Sequence, residues 1–194
     1  MRIFVAGEGP DEIGDWAKDP AYVPAAPSGG VVESLLRKIR RDGWTVVAGC
    51  PWRRNRKFKF ARGLHGDEVR NVLGAIDQAA EAGCAAIAFV RDRDEEVERE
   101  HAIEAAIERA NVLNLIAGIV GGVAIETTDA WILALLGMVK SEQVGNPKRR
   151  LQEDNGVADG LRKADVAASA DLAALPSDAH SLRRWLEEVM SIGV

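Results

Sequence analysis

Cysteine, histidine and tyrosine are all scarce in this chain of 194 residues, which has two, three and one of them. Cys50 and Cys84 stand too far apart for a metal-ligand or redox motif, so they read as reduced thiols of a cytoplasmic protein. His65, His101 and His180 are scattered, with no HExxH-like pair, which excludes the usual zinc-hydrolase signatures. No long apolar run is present either. The longest uncharged stretch, 111–125, is interrupted by Gly118, Gly121 and Gly122 and falls short of the roughly 20 residues a spanning helix needs. The apolar start breaks at Glu8, too early for a signal peptide. A net charge of −5 excludes a polycation that coats nucleic acid, so any such contact must come from a local patch.

What is present is a regular alternation of apolar runs and amphipathic segments. Short strands are expected at 3–6, 44–48, 85–90 and 122–125, the last with room to start earlier, and helices at 31–41, 67–82, 95–110 and from Thr127 or Thr128 to about Leu136. Strands that alternate with helices imply right-handed βα units and a mostly parallel, four-stranded sheet, an α/β fold. The segment 10–30 holds four of the seven prolines and reads as a loop. From Lys140 the chain turns polar, and two short helical pieces come after it, the second from Ser181 to Met190. This divides the chain into a domain over 1–140 and a helical C-terminal extension over 141–194, packed on the first as an appendage.

Three of the expected strands end in acid: Glu8 after the first, Asp92 and Asp94 after the third, and Glu126 after the fourth. In an open parallel sheet, sites form outside the carboxyl ends of the strands. Carboxylates gathered there repel one another unless a cation is present, and Mg²⁺, with its preference for oxygen ligands, suits them. The alternative is that Asp94 or Asp129 caps the next helix, or that 92–96 is a solvated charge run. A dinucleotide fingerprint is excluded at Gly7-Glu8-Gly9, because the third glycine is replaced by Glu12 and three acids would face a pyrophosphate.

A second concentration of charge is basic. Arg53, Arg54, Arg56, Lys57, Lys59 and Arg62 stand without an intervening acid, with Trp52, Phe58 and Phe60 among them. Cations neutralise phosphates and aromatic rings stack on bases, so the stretch is a candidate nucleic-acid contact. It could equally be a solvated loop, one that pairs with the acidic helix at 95–104, or a contact for an acidic protein.

Three segments, GEGPDE (7–12), FVRDRDEE (89–96) and AIETTDAWILAL (124–135), resemble the Toprim fold. The likeness is to small bacterial Toprim-like proteins allied to the overcoming-lysogenization-defect nucleases, found in phage-defence or mobile-element settings. It covers about residues 1–140, and more weakly Asn146-Pro147-Lys148 and the Trp185 helix. The resemblance implies a Mg²⁺-dependent nuclease, with Mn²⁺ able to substitute, whose metal is held by Glu8, Asp92, Asp94 and Glu126. Glu8 and Glu12 would be catalytic, and Lys148 would match a basic residue that steadies the transition state. The chain departs from the pattern in its loop at 10–30 and carries no ATPase domain, so an ATPase would have to be a separate partner. A non-catalytic binding or regulatory subunit is the competing expectation.

Overall fold

A computed structural model describes residues 1–40, 42–59, 66–94 and 96–192. Four strands form one all-parallel sheet: β1 (Arg2–Gly7), β2 (Thr45–Pro51), β3 (Ala86–Asp92) and β4 (Gly118–Ala124), in the order β2-β1-β3-β4. The chain first winds from β1 outward to β2, then crosses back over β1 to β3. The reversal leaves a crevice at the carboxyl ends of β1 and β3, where an open α/β sheet offers its natural site. The architecture is Rossmann-like, with helices on both faces.

Alternation along the strands sorts the core into two layers. Ile3, Val5, Ala88, Val90 and Val120 point to one face, and Phe4, Ala6, Ile87, Phe89 and Val123 to the other. The second face is covered by α3 (Asp67–Glu81) and α4 (Glu98–Val112) through Val72, Leu73, Ile76, Ile103 and Ala106. The first is covered by α2 (Val31–Ile39), α5 (Thr128–Leu135), α7 (Gly160–Ser169) and α8 (His180–Ser191). Burial on both faces explains the uncharged apolar runs 3–6 and 86–90 in the two central strands, whereas the edge strand β2 is mostly half-buried.

The expected elements are present, with three differences. The segment 10–30 is not an open loop: it contains the single turn α1 (Pro10–Ile13) and two 3₁₀ turns, Gly14–Ala17 and Pro20–Tyr22. Proline is tolerated at the first position of a helix, where its missing N–H would have no partner anyway, and Pro10 and Pro20 both stand there. The polar stretch after Lys140 likewise contains α6 (Pro147–Asn155), capped by the Asn146 side chain. The charged helix begins at Glu98 and not at 95, and Glu95 lies outside the described residues.

The tail does more than sit on a finished domain. Leu151, Leu175, Leu182, Trp185, Leu186 and Val189 share one core with Val5, Leu35 and Trp131. The Trp185 indole donates to the Phe89 carbonyl at 3.0 Å, and the Trp131 indole to Ser181 Oγ at 2.7 Å. Among the described residues no helix is long and apolar enough to cross a membrane.

Candidate functional site at the carboxyl edge of the sheet

Strand parity decides which acids meet. On β3, Asp92 continues the series of Ala88 and Val90 toward α5, whereas Arg91 continues that of Phe89 toward α3. Asp92 Oδ1 accepts from the Thr128 amide at 2.8 Å and from Thr128 Oγ1 at 2.7 Å, so the end of β3 caps the start of α5. On its other side Thr128 Oγ1 lies 3.2 Å from Glu12 Oε1. The second oxygen of Glu12 accepts from the Gly9 amide at 2.8 Å, the backward reach of a residue in the first turn of a helix. Glu12, Thr128 and Asp92 thus form one contiguous group, assembled from α1, α5 and β3.

Both carboxyl groups hold their protons more tightly than usual. Burial pushes Glu12 up to about 7, with the neighbouring Asp92 charge adding to it. Burial also raises Asp92 to about 6; its Thr128 hydrogen bonds oppose the rise, and the charges of Glu8 and Asp94 reinforce it. A threonine hydroxyl has one proton to give, and the shorter contact assigns it to Asp92. A protonated Glu12 completes the chain by donating to Thr128 Oγ1.

The other expected acids are engaged differently. Glu8 pairs with Arg91, which also binds Glu68 at 2.8 Å and lies 5.3 Å over the Trp52 ring. Arg93 pairs with Glu126 at 3.1 Å, and Arg99 with Asp94 at 3.1 Å while also donating to the Asp92 carbonyl. Asp94 and Glu126 both take left-handed backbone conformations (φ 49° and 64°), and the Asp94 amide donates to the Glu126 carbonyl at 3.1 Å. Such conformations cost energy in residues with a side chain and recur where loops are held for function. Among the described residues, no three His, Cys, Asp or Glu side chains are grouped so as to hold a metal ion.

Lys148 comes to the same edge. It lines a cavity of about 540 Å³ with Asp94, Glu126, Thr127 and Asn146, at the start of α6.

The basic stretch begins where β2 ends, beside Glu8 at the end of the adjacent β1. Its path is fixed by α3: the Arg56 carbonyl rests on Gly74, and the Phe58 amide donates to the Arg70 carbonyl at 2.9 Å. Arg56 pairs with Glu81, and Lys57 with Asp67 at 2.7 Å. Its acid partners are therefore on α3; the acidic α4 is instead tied to the tail, Glu100 to Arg184 at 2.7 Å. Arg53, Arg54 and Lys59 are exposed. Trp52 is no stacking platform, being buried edge-on against Phe89 with its indole N–H on the Val90 carbonyl. Phe58 packs against the core. Phe60 and Arg62 lie outside the described residues.

Thr128 and Lys163 escape the sequence reading. Lys163, on α7, is only 4% exposed and pairs with Asp11 and with Asp129 at 2.5 Å. Burial works against its charge, but the two carboxylates prevail and hold it above the usual lysine value. A lysine deep in a tail gives no sequence signal; only the capping role of 127–128 could have pointed to Thr128.

Comparison with known proteins finds no matching family model, no matching curated protein and no matching solved structure.

Proposed function

We propose that the chain is a divalent-cation-dependent phosphodiester hydrolase of cytoplasmic nucleic acid, working at the carboxyl edge of β1, β3 and β4. The carrying observation is the Glu12–Thr128–Asp92 group, buried at Glu12 and Thr128 and part-buried at Asp92, at the reversal of strand order and beside a cavity lined by Lys148. The resemblance of 7–12, 89–96 and 124–135 to the Toprim domains of overcoming-lysogenization-defect nucleases supports the same reading, and with it a phage-defence or mobile-element setting.

The donor chemistry fits a hard cation. All the candidates offer carboxylate oxygen, and a nearby dication would offset both the burial that chiefly raises Glu12 and Asp92 and the neighbouring negative charge that adds to it. Asp92 and Asp94 would hold Mg²⁺ or Mn²⁺, with Glu8 and Glu126 joining on release from Arg91 and Arg93. The bound ion would supply charge stabilisation at the phosphoryl oxygens and a more acidic water. Glu12, with a proton affinity centred near neutral pH, is suited to accept and return a proton. Lys148 would face the developing negative charge, and Arg53, Arg54 and Lys59 would grip the backbone.

The test is a calorimetric Mn²⁺ and Mg²⁺ titration of the parent and Asp92→Asn, followed by incubation of each with single- and double-stranded DNA and RNA. Saturable binding and cleavage in the parent, both lost in the variant, are expected. No ion binding in the parent would defeat the hydrolase reading. It would favour the alternative in which Arg91, Arg93 and Arg99 are permanent counter-ions of a non-catalytic subunit that serves a separate ATPase.

A further inference from the structure

α1 is a single turn of four residues, too short to hold a conformation by itself, yet it carries Glu12. Its position must be imposed from outside. Ile13 is buried in the core, and the backbone of Gly30 lies so close to the Glu12 carbonyl that a Cβ there would clash. The remaining tether is charged. Lys163 reaches out of α7 and binds Asp11, the residue before Glu12, and Asp129, the residue after Thr128. The start of α7 is close to the same carboxylate, since a Cβ on Gly160 would meet Asp11 Oδ1 at 2.8 Å.

We propose that Lys163 is a positioning residue for the acidic group: by pairing Asp11 and Asp129 at once it fixes α1 against α5 and so sets Glu12 against Thr128 and Asp92. One ammonium thus bridges the immediate neighbours of the two side chains whose contact makes the group. With the lysine nearly sealed from water and Asp129 only 8% exposed, the Lys163–Asp129 arm is poorly screened, while the Asp11 arm opens toward solvent. The inference also gives the tail a role at the site, because α7 supports α1 and α5 from behind. It rests on the hydrolase reading for the importance of Glu12 and Asp92, but not for the contact itself.

Hydrogen exchange of the full chain separates the two. Gly9 and Ile13 report on α1, the Thr128 amide on its bond to Asp92, and Val72 and Ile103 on the distant helices. Asp11→Asn removes only the partly exposed partner and keeps the buried Lys163–Asp129 pair, so the chain should still fold; Lys163→Met is the stronger variant. Positioning predicts exchange faster by about tenfold or more at Gly9, Ile13 and Thr128 in Asp11→Asn, with Val72 and Ile103 unchanged. Unchanged rates at the first three, or equal acceleration at all five, would overturn it. Titration with Mn²⁺ alone supplies the second arm. Weaker binding in Asp11→Asn than in the parent is expected, and equal binding would overturn the link to the site. If the parent binds no Mn²⁺, the hydrolase reading fails and the exchange rates still decide whether Lys163 positions α1.

Discussion

Glu12 is a carboxyl group whose surroundings oppose its charge, and that has a consequence for stability. Its ordinary value lies near 4.5 and its folded value at about 7. The folded chain therefore binds a proton there more tightly than the unfolded chain between those limits. A raised carboxyl contributes stability that is fully present below the unfolded value and is lost as pH rises through the folded one. Asp92, at about 6, acts in the same direction. Melting of Glu12→Gln against the parent isolates the effect, since the amide can accept from Gly9 and donate to Thr128 Oγ1. At pH 4, below the unfolded value, the two proteins should melt together. At pH 8 the variant should be the more stable, by roughly 3 kcal/mol. A parent whose advantage grew with pH would refute the burial argument. The same residue scale shows what sequence could not reveal. Glu8 and Glu126 are legible because they end apolar runs. The arginines that hold them are hidden in the run Arg91-Asp92-Arg93-Asp94, which looks like a solvated charge cluster until strand parity sends alternate residues to opposite faces.

Among the elements, β4 has an unusual composition for a buried strand, with Gly118, Gly121 and Gly122 in seven residues. Gly121 is the informative one. It is register partner to Phe89 on β3, and the tip of the Phe89 ring lies so close to it that a Cβ would overlap Cζ. The absence of a side chain lets Phe89 lie there while Trp52 meets it edge-on at 5.6 Å. Gly121→Ala should cost about 1–3 kcal/mol in chemical denaturation. Adding Phe89→Leu should recover part of that loss, giving a coupling that two independent sites would lack. Elements of this kind explain how far the sequence could be read. Strands and the helices α2, α3 and α5 announced themselves through periodicity, because each buries a stripe or a face. The ordered path of 10–30 did not, since it comes from contacts distant in sequence: the Ser28 carbonyl accepts from the Asp15 amide at 2.9 Å, and the Trp16 indole donates to Glu33 at 3.0 Å.

For the molecule as a whole, the sheet has one face closed by helices that intervene between its strands and one covered by α2 together with helices C-terminal to all four. α3 and α4 arrive with β3 and β4; α7 and α8 come only after residue 159. A chain ending at residue 140 would leave Val5, Leu35 and Trp131 without Leu182, Trp185 and Leu186 against them. Such a fragment is expected to lose cooperative unfolding and to bind a hydrophobic dye, whereas the full chain should unfold in one transition. A cooperative, dye-silent fragment would show that the first 140 residues suffice. The extension expected from the polar break after Lys140 packs on the sheet and supplies part of one core layer. The polar break after Lys140 marks an exposed connection, and says nothing of where the chain goes next.

The pair of indoles that joins body to tail also gives the protein an optical signature. Trp131 and Trp185 stand 5.8 Å apart with their planes inclined at 52°, one on α5 and the other on α8. Two identical chromophores held close and skewed share their excitation, and the handedness of that arrangement appears as paired bands of opposite sign in circular dichroism. Neither ring can produce the couplet alone, so its amplitude reports the seating of the tail on the sheet, in a chain that needs no added label.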